Sequence, residues 1–260
     1  MTRSGLALAS YGTAQPDARQ RDIEPLVREL REAMPDGLFC EAYLSSPVRR
    51  LLERKGVAAP GTLGDALSSL LDAGAERICV QPGLIVAGST MGALLAEASG
   101  WDGRFADGIV VGKPLLSSPG DILDVARAIA EAYPAQTGCG LVLVGHGAAE
   151  GTNQPYLALR DELRRQGRTD VFLGLLDGEP GIDDVIAGIE GSGFRTATLV
   201  SLMLAAGSHV ARQLGGDAPT SWKSQLNERG VETGVAVRGL GSLREIRPIF
   251  QSHARAALRS

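Results

Sequence analysis

Short apolar runs alternate along this chain with segments whose apolar residues recur three and four positions apart. Strand-length runs fall at 6–10, 38–44, 77–86, 108–112, 140–145, 171–176, 196–204 and 234–237. Between them the spacing changes: over 17–34, Ile23, Leu26, Val27 and Leu30 recur at helical intervals. Pro16 followed by Asp17 suits a helix start, and Pro35-Asp36-Gly37 suits a stop and turn. Further helices are predicted over 47–54, 63–73, 91–99, 119–132, 154–166, 183–190, 221–228 and 243–258. Near-continuous apolar strands joined through helices are the signature of parallel sheets covered on both faces, so the fold class is α/β.

The pattern also repeats. Residues 5–13 read GLALASYGT and residues 140–148 read GLVLVGHGA; residues 83–90 read GLIVAGST and residues 202–209 read LMLAAGSH. Each pair is a strand followed by a glycine-containing turn, and the order is the same in both halves. Chance can produce one such pair, but two in matching order favour a duplicated βα lobe. The expected architecture is two duplicated lobes, each a parallel sheet flanked by helices. The polar stretch AYPAQTG at 132–138 would link an N-terminal lobe (1–134) to a C-terminal lobe (135–260). The helix predicted over 243–258 is free to pack back on the N-terminal lobe, and the ligand cleft is expected between lobes.

Composition narrows the function. A chain of 260 residues with 44% hydrophobic and 22% charged residues can bury a sizeable core. Only 4% is aromatic and the formal charge is −4, which argues against a nucleic-acid partner. The apolar stretch near the N-terminus is too short for a signal peptide, and no run approaches a membrane span. Cys40, Cys79 and Cys139 each lie in or beside a strand-like run, which reads as small buried hydrophobes in a reducing compartment. A cytoplasmic protein without disulfides is expected; a homo-oligomer stays open.

The chain has three histidines, so each can be weighed. His253 lies in the C-terminal helical pattern among Gln251, Ser252 and Arg255, which reads as a surface position. His146 follows the run LVLV inside Gly145-His146-Gly147, and His209 follows LVSLMLAA inside Gly207-Ser208-His209. Ligands of open parallel sheets bind beyond the carboxyl ends of the strands. Asp177, the first charged residue after VFLGLL, emerges on the same edge. Two neutral imidazoles and a carboxylate make an open site for a divalent first-row metal. Spacing alone leaves the alternative open that the three residues end their strands without meeting.

The first half differs. Where the second half carries His146 and His209, the aligned positions hold Tyr11 and Thr90. Ser10, Tyr11, Thr13, Ser45, Ser46, Ser89 and Thr90 near its strand ends are hydrogen-bonding groups suited to a polar organic ligand.

The set SYGT at 10–13, KPLLSS at 113–118, GHGA at 145–148, LMLAAGSH at 202–209 and SWK at 221–223 resembles the anaerobic-type sirohydrochlorin cobaltochelatases. These are class II, ATP-independent chelatases related to protoporphyrin ferrochelatase. The resemblance runs from Leu6 to Phe250. It implies insertion of Co2+ into sirohydrochlorin or precorrin-2, with the metal held by His146, His209 and Asp177. It also implies a tetrapyrrole substrate and no organic cofactor, and the strand-end groups Ser10, Tyr11, Thr13, Ser45, Ser89 and Thr90, with Lys113, are then the expected macrocycle-binding residues. His146 would accept a pyrrole proton, a role natural to a group that titrates near neutrality. The substrate is a polycarboxylate, so Arg49, Arg50, Lys113 and Arg212 are rim candidates, against the alternative that each is a solvated surface charge. Iron or nickel insertion, and a non-catalytic tetrapyrrole or metal carrier, are the competing functions. Two departures stand out: the family usually has glutamate at position 177, and acidic residues in the turn at 88–90 and at Ser208.

Overall fold

The architecture follows from where the buried runs pair. In a computed structural model, the structure describes residues 2–34, 37–147 and 153–260, with His209 described by its backbone only. The turn expected at Pro35 and Asp36 lies outside the described residues.

The chain begins with β1 (Ser4–Ser10), buried from Gly5 onward, then α1 (Pro16–Ala18), a π-helical turn (Arg19–Ile23) and α2 (Glu24–Glu32). Leu26, Val27 and Leu30 form the buried stripe of α2, as their spacing predicts. β2 (Leu38–Tyr43) leads to α3 (Ser46–Arg54), and α4 (Leu63–Asp72) starts at a capping box made by Thr62 and Asp65. β3 (Arg77–Pro82), α5 (Ser89–Ser99) and β4 (Ile109–Val111) complete the first sheet. After α6 (Pro119–Ala132), capped by Ser118, come β5 (Cys139–Gly147), α7 (Gln154–Arg165), β6 (Val171–Asp177), α8 (Ile182–Ser192) and β7 (Thr196–Ser201). The chain ends through α9 (Ser208–Gly215), α10 (Trp222–Glu228), β8 (Glu232–Ala236) and α11 (Arg247–Arg259).

All strands in both sheets run parallel. The first sheet has the order β2-β1-β3-β4 and the second the order β6-β5-β7-β8. Strand for strand, β1 corresponds to β5, β2 to β6, β3 to β7 and β4 to β8.

The chain divides into two compact units: residues 1–115 with 247–260, and residues 116–246. Helix α6 thus belongs to the second unit, and α11 joins the first, where it packs on β3, β4 and α2. In the first unit Ala7, Ala9, Ile78 and Val80 of the sheet meet Leu63, Leu67 and Leu70 of α4 and Leu94 of α5. In the second, Val142, Val144 and Leu199 meet Ile186 and Ile189 of α8, Leu214 of α9 and Trp222 of α10. Truncating one such leucine to alanine would cost about 2–5 kcal/mol.

Three strand readings need correction. β3 stops at Pro82 and β7 at Ser201, short of the expected 86 and 204, while β5 runs on to Gly147. The apolar residues past β3 and β7, Leu84, Ile85, Leu202 and Leu204, are buried in turns rather than in the ladder. The carbonyls of Met203 and Leu204 are taken by the Leu240 and Gly241 N–H groups at 2.8 and 3.0 Å. The final helix starts at Arg247 rather than 243, because Leu240–Ser242 form a 3-10 turn. Cys79 is buried, and its thiol is pushed up to about 12 by desolvation; Cys40 and Cys139 are only partly buried, and all three are free.

Candidate metal centre

In the second unit the inner strand β5 and the outer strand β6 deliver two of the three expected ligands to the carboxyl edge of the sheet. β5 is buried from Gly140 to Gly145, and His146 is its first exposed residue. In β6 the first exposed residue is Asp177. Gly147 and Asp177 are register partners, so the imidazole and the carboxylate arise from adjacent rungs of neighbouring strands. Gly147 has φ 80°, and a Cβ there would overlap the Asp177 carbonyl oxygen, so only glycine allows this approach.

The histidine has a defined orientation. Its Nδ1 lies 3.3 Å from the Gly147 carbonyl oxygen. A carbonyl only accepts, so Nδ1 carries the proton and the Nε2 lone pair is left for a cation. The Asp177 carboxylate has no hydrogen bond or ion pair among the described residues. Leu175 N–H turns to the Pro180 carbonyl at 2.7 Å, closing the loop that follows Asp177.

His209 is not at a strand end, as its sequence context suggested. It is the second residue of α9, after the turn 202–207, and Gly207 is the N-cap. The Leu202 N–H still bonds the Val144 carbonyl at 2.8 Å, so the turn leaves the sheet beside β5. The His209 side chain lies outside the described residues. Among the described residues no three His, Cys, Asp or Glu side chains cluster as metal ligands.

The first unit holds the corresponding positions with hydroxyls. Aligning 5–13 with 140–148 sets Ser10 on Gly145, Tyr11 on His146 and Gly12 on Gly147. The backbones agree: Gly12 has φ 75° where Gly147 has φ 80°. Likewise Gly88 caps α5 with extended geometry as Gly207 caps α9, which sets Thr90 on His209. Ser10 pairs with Tyr43 and Gly145 with Leu175, so Ser45 stands where Asp177 stands. Tyr11 and Thr90 share a hydrogen bond through their hydroxyls.

The other expected ligand groups are distributed more widely. Ser10 is buried, and its Oγ lacks a partner among the described residues. Thr13 Oγ1 accepts from Gln15 N–H at 3.2 Å and fixes the turn after β1. Ser45 Oγ accepts from Val48 N–H at 3.4 Å and caps α3. Ser89 is exposed at the first position of α5. Lys113 is exposed just past β4, and Arg50 and Arg212 are also exposed, whereas Arg49 donates to the Tyr43 carbonyl. His253, read as a surface residue, is half-buried, with Nδ1 on the Lys113 carbonyl oxygen. Helical periodicity marks it as a face position, but nothing in the sequence pairs it with a residue so far upstream.

Two four-stranded parallel sheets of one strand order, each flanked by helices, define a chelatase-like fold. The same fold is found in SirB from Bacillus subtilis with Fe3+ (TM-score 0.70, 14% identity, 99% of this chain and 96% of that one). It recurs in SirB from the subspecies spizizenii in complex with cobalt (TM-score 0.68, 13% identity, 99% and 96%). The cobalt chelatase (CbiK) family model matches residues 4–259, and the chain belongs to that family. It is 28% identical over 259 residues to the sirohydrochlorin cobaltochelatase of Salmonella typhimurium, covering 98% of this chain and 97% of that protein. It is also 28% identical over 265 residues to the sirohydrochlorin cobaltochelatase CbiKC of Nitratidesulfovibrio vulgaris, covering 99% and 92%.

Proposed function

We propose that this chain inserts Co2+ into sirohydrochlorin without ATP, in the cytoplasm, and that His146, Asp177 and His209 present the metal. Membership of the cobalt chelatase family supports the reaction, and the relatives named sirohydrochlorin cobaltochelatases support the substrate. The observation that carries the ligand set is the Tyr11–Thr90 hydrogen bond. It brings together the two positions of the first unit that correspond to His146 and His209, and a shared backbone frame gives the histidines the same opportunity. Asp177 stands one rung away on the neighbouring strand.

The chemistry needs two proton losses and one metal transfer. Co2+ is a substrate: it starts on the imidazole nitrogens and the carboxylate and ends on four ring nitrogens. Each pyrrole N–H that gives way to a metal–nitrogen bond releases one proton. As the cation leaves, the His146 Nε2 lone pair is freed and takes one of these protons, while the second leaves to solvent. Nδ1 stays bonded to the Gly147 carbonyl throughout, so the ring keeps its aim. The hydroxyl-bearing edge of the first unit (Ser10, Tyr11, Thr13, Ser45, Ser89 and Thr90, with Lys113) binds the macrocycle.

Steady-state turnover tests this. An enzyme converts many equivalents of sirohydrochlorin with Co2+, followed by its visible absorption, whereas a carrier stops at one per chain. Parallel reactions with Fe2+ and Ni2+ identify the preferred metal, since a His/His/carboxylate set does not select among them by itself. Stoichiometric binding without turnover would replace the enzyme with a carrier.

A further inference from the structure

His253 stands on the last helix, yet its Nδ1 lies 3.2 Å from the Lys113 carbonyl oxygen. The same oxygen accepts from Gln81 Nε2 at 2.9 Å. Gln81 is 0% exposed, and its Nε2 also reaches the Pro82 carbonyl at 3.0 Å. One buried amide therefore ties the end of β3 to the residue just past β4. Gly112 makes room for it, since a Cβ there would overlap Gln81 Oε1. On the far side Pro114 restricts the Lys113 backbone, and Leu115 N–H bonds the Leu84 carbonyl at 2.9 Å.

The main chain at Lys113 is thus held from several directions while its side chain is exposed. The ammonium has no hydrogen bond or ion pair among the described residues. A free cation on a fixed backbone, at the carboxyl edge of a parallel sheet, is placed to meet an anion. The substrate class of the proposed function is a polycarboxylate.

We infer that His253 and Gln81 are positioning residues that act through the Lys113 carbonyl and aim the Lys113 ammonium at a peripheral carboxylate of the tetrapyrrole. The inference rests on the proposed function. It also gives a use to the return of α11 into the first unit, which brings a C-terminal histidine to a loop near the middle of the chain.

Binding of metal-free sirohydrochlorin, titrated by visible absorption on the full chain, separates the outcomes because it requires no metal site. Lys113→Ala should raise Kd about fivefold, the size of one solvent-exposed ion pair. His253→Ala should raise it about threefold in the wild-type background and leave it unchanged in Lys113→Ala. His253→Asn, whose amide can donate from the same place, should restore wild-type Kd. Arg255→Ala, on the same helix and exposed, serves as a control for helix charge. Additive effects of the His253 and Lys113 substitutions would overturn the inference, as would a loss in His253→Ala that asparagine does not rescue. An unchanged Kd in either alanine variant, with wild type binding normally, would overturn it alone. Failure of wild type to bind the macrocycle would overturn the proposed function with it.

Discussion

Tyr11 and Thr90 touch through their hydroxyls at the carboxyl edge of the first sheet, one at the end of β1 and the other at the start of α5. Tyr11 is 53% exposed, so the pair lies within reach of a ligand. Two hydroxyls carry two protons and their mutual bond uses one, which leaves an O–H to donate. In the second unit the same two backbone positions carry His146 and His209. In the first unit two hydroxyl side chains thus meet at the carboxyl edge, and the corresponding backbone positions of the second unit are filled with imidazole-bearing residues instead.

If the frames are equivalent, imidazoles should work in the first unit as well. The double variant Tyr11→His/Thr90→His is expected to bind a further equivalent of Co2+ per chain, measured by calorimetry, while each single variant is not. Unchanged stoichiometry in a folded double variant would break the equivalence and with it the geometric support for His146 and His209 as a pair.

The sequence shows the strands because each is a buried apolar run, and it shows the repeat because glycines with positive φ recur at Gly12 and Gly147. It misplaces the ends of β3 and β7 for one physical reason. Leu84, Ile85, Leu202 and Leu204 are as apolar and as buried as strand residues, but they lie past the last paired rungs, where the Leu84 and Leu204 carbonyls are taken by the Leu115 and Gly241 N–H groups. Helix α9 goes unread because Ser208–Gly215 is short and begins among small residues that look like the end of a strand. His146 and Asp177 are legible because each is the first polar residue after an apolar run. The contact of His253 with Lys113 is not, because it depends on α11 returning to the first unit.

His146→Ala should abolish cobalt insertion and weaken Co2+ binding at least tenfold, since one direct ligand is lost. Metal-free sirohydrochlorin should still bind with wild-type Kd. Equal insertion rates for His146→Ala and wild type across pH would remove His146 from the mechanism.

Gly147→Ala should damage the fold and the site together. It forces a side chain into φ 80° and against the Asp177 carbonyl oxygen. A loss of about 2 kcal/mol or more is expected, read as a lower Tm, with Co2+ binding reduced even at temperatures where the variant is folded. A variant with unchanged Tm and metal affinity would show that β5 and β6 do not need this close approach.

Asp170 supplies a pH signature for the second unit. Both of its carboxylate oxygens accept from Arg168 at 2.8 Å, and that guanidinium holds the carboxyl below its ordinary value. A group depressed in the folded state adds stability above its unfolded pKa of about 3.9, and that stability is lost as pH falls through the folded value. Asp170→Asn should therefore be less stable than wild type at neutral pH, by on the order of 1 kcal/mol, with the gap closing below about pH 4. Denaturant melts at neutral and acid pH measure both, and a gap that widens on acidification would contradict the pairing.

Asp177 stands where the sequence resemblance implies a glutamate. The shorter side chain withdraws the carboxylate by about 1.5 Å, one carbon–carbon bond, whereas metal–oxygen distances tolerate about 0.2 Å. Either the backbone has moved forward to compensate, or the carboxylate reaches the metal through water. Compensation is our expectation: β6 runs through Asp177 itself, pairs there with Gly147, and turns at Gly178, where φ is 98° and the backbone has the freedom of glycine. The absence of a side chain at Gly147 lets this last rung close tightly against β5. If the backbone has advanced to compensate, Asp177→Glu should overfill the site, weakening Co2+ binding and slowing insertion severalfold, while Asp177→Asn should weaken binding by removing the charge and keeping the length. Co2+ affinity and insertion rate for wild type and both variants decide between the two arrangements. Tighter binding and faster insertion by Asp177→Glu would mean that the aspartate acts through water and that the native site is a relaxed one.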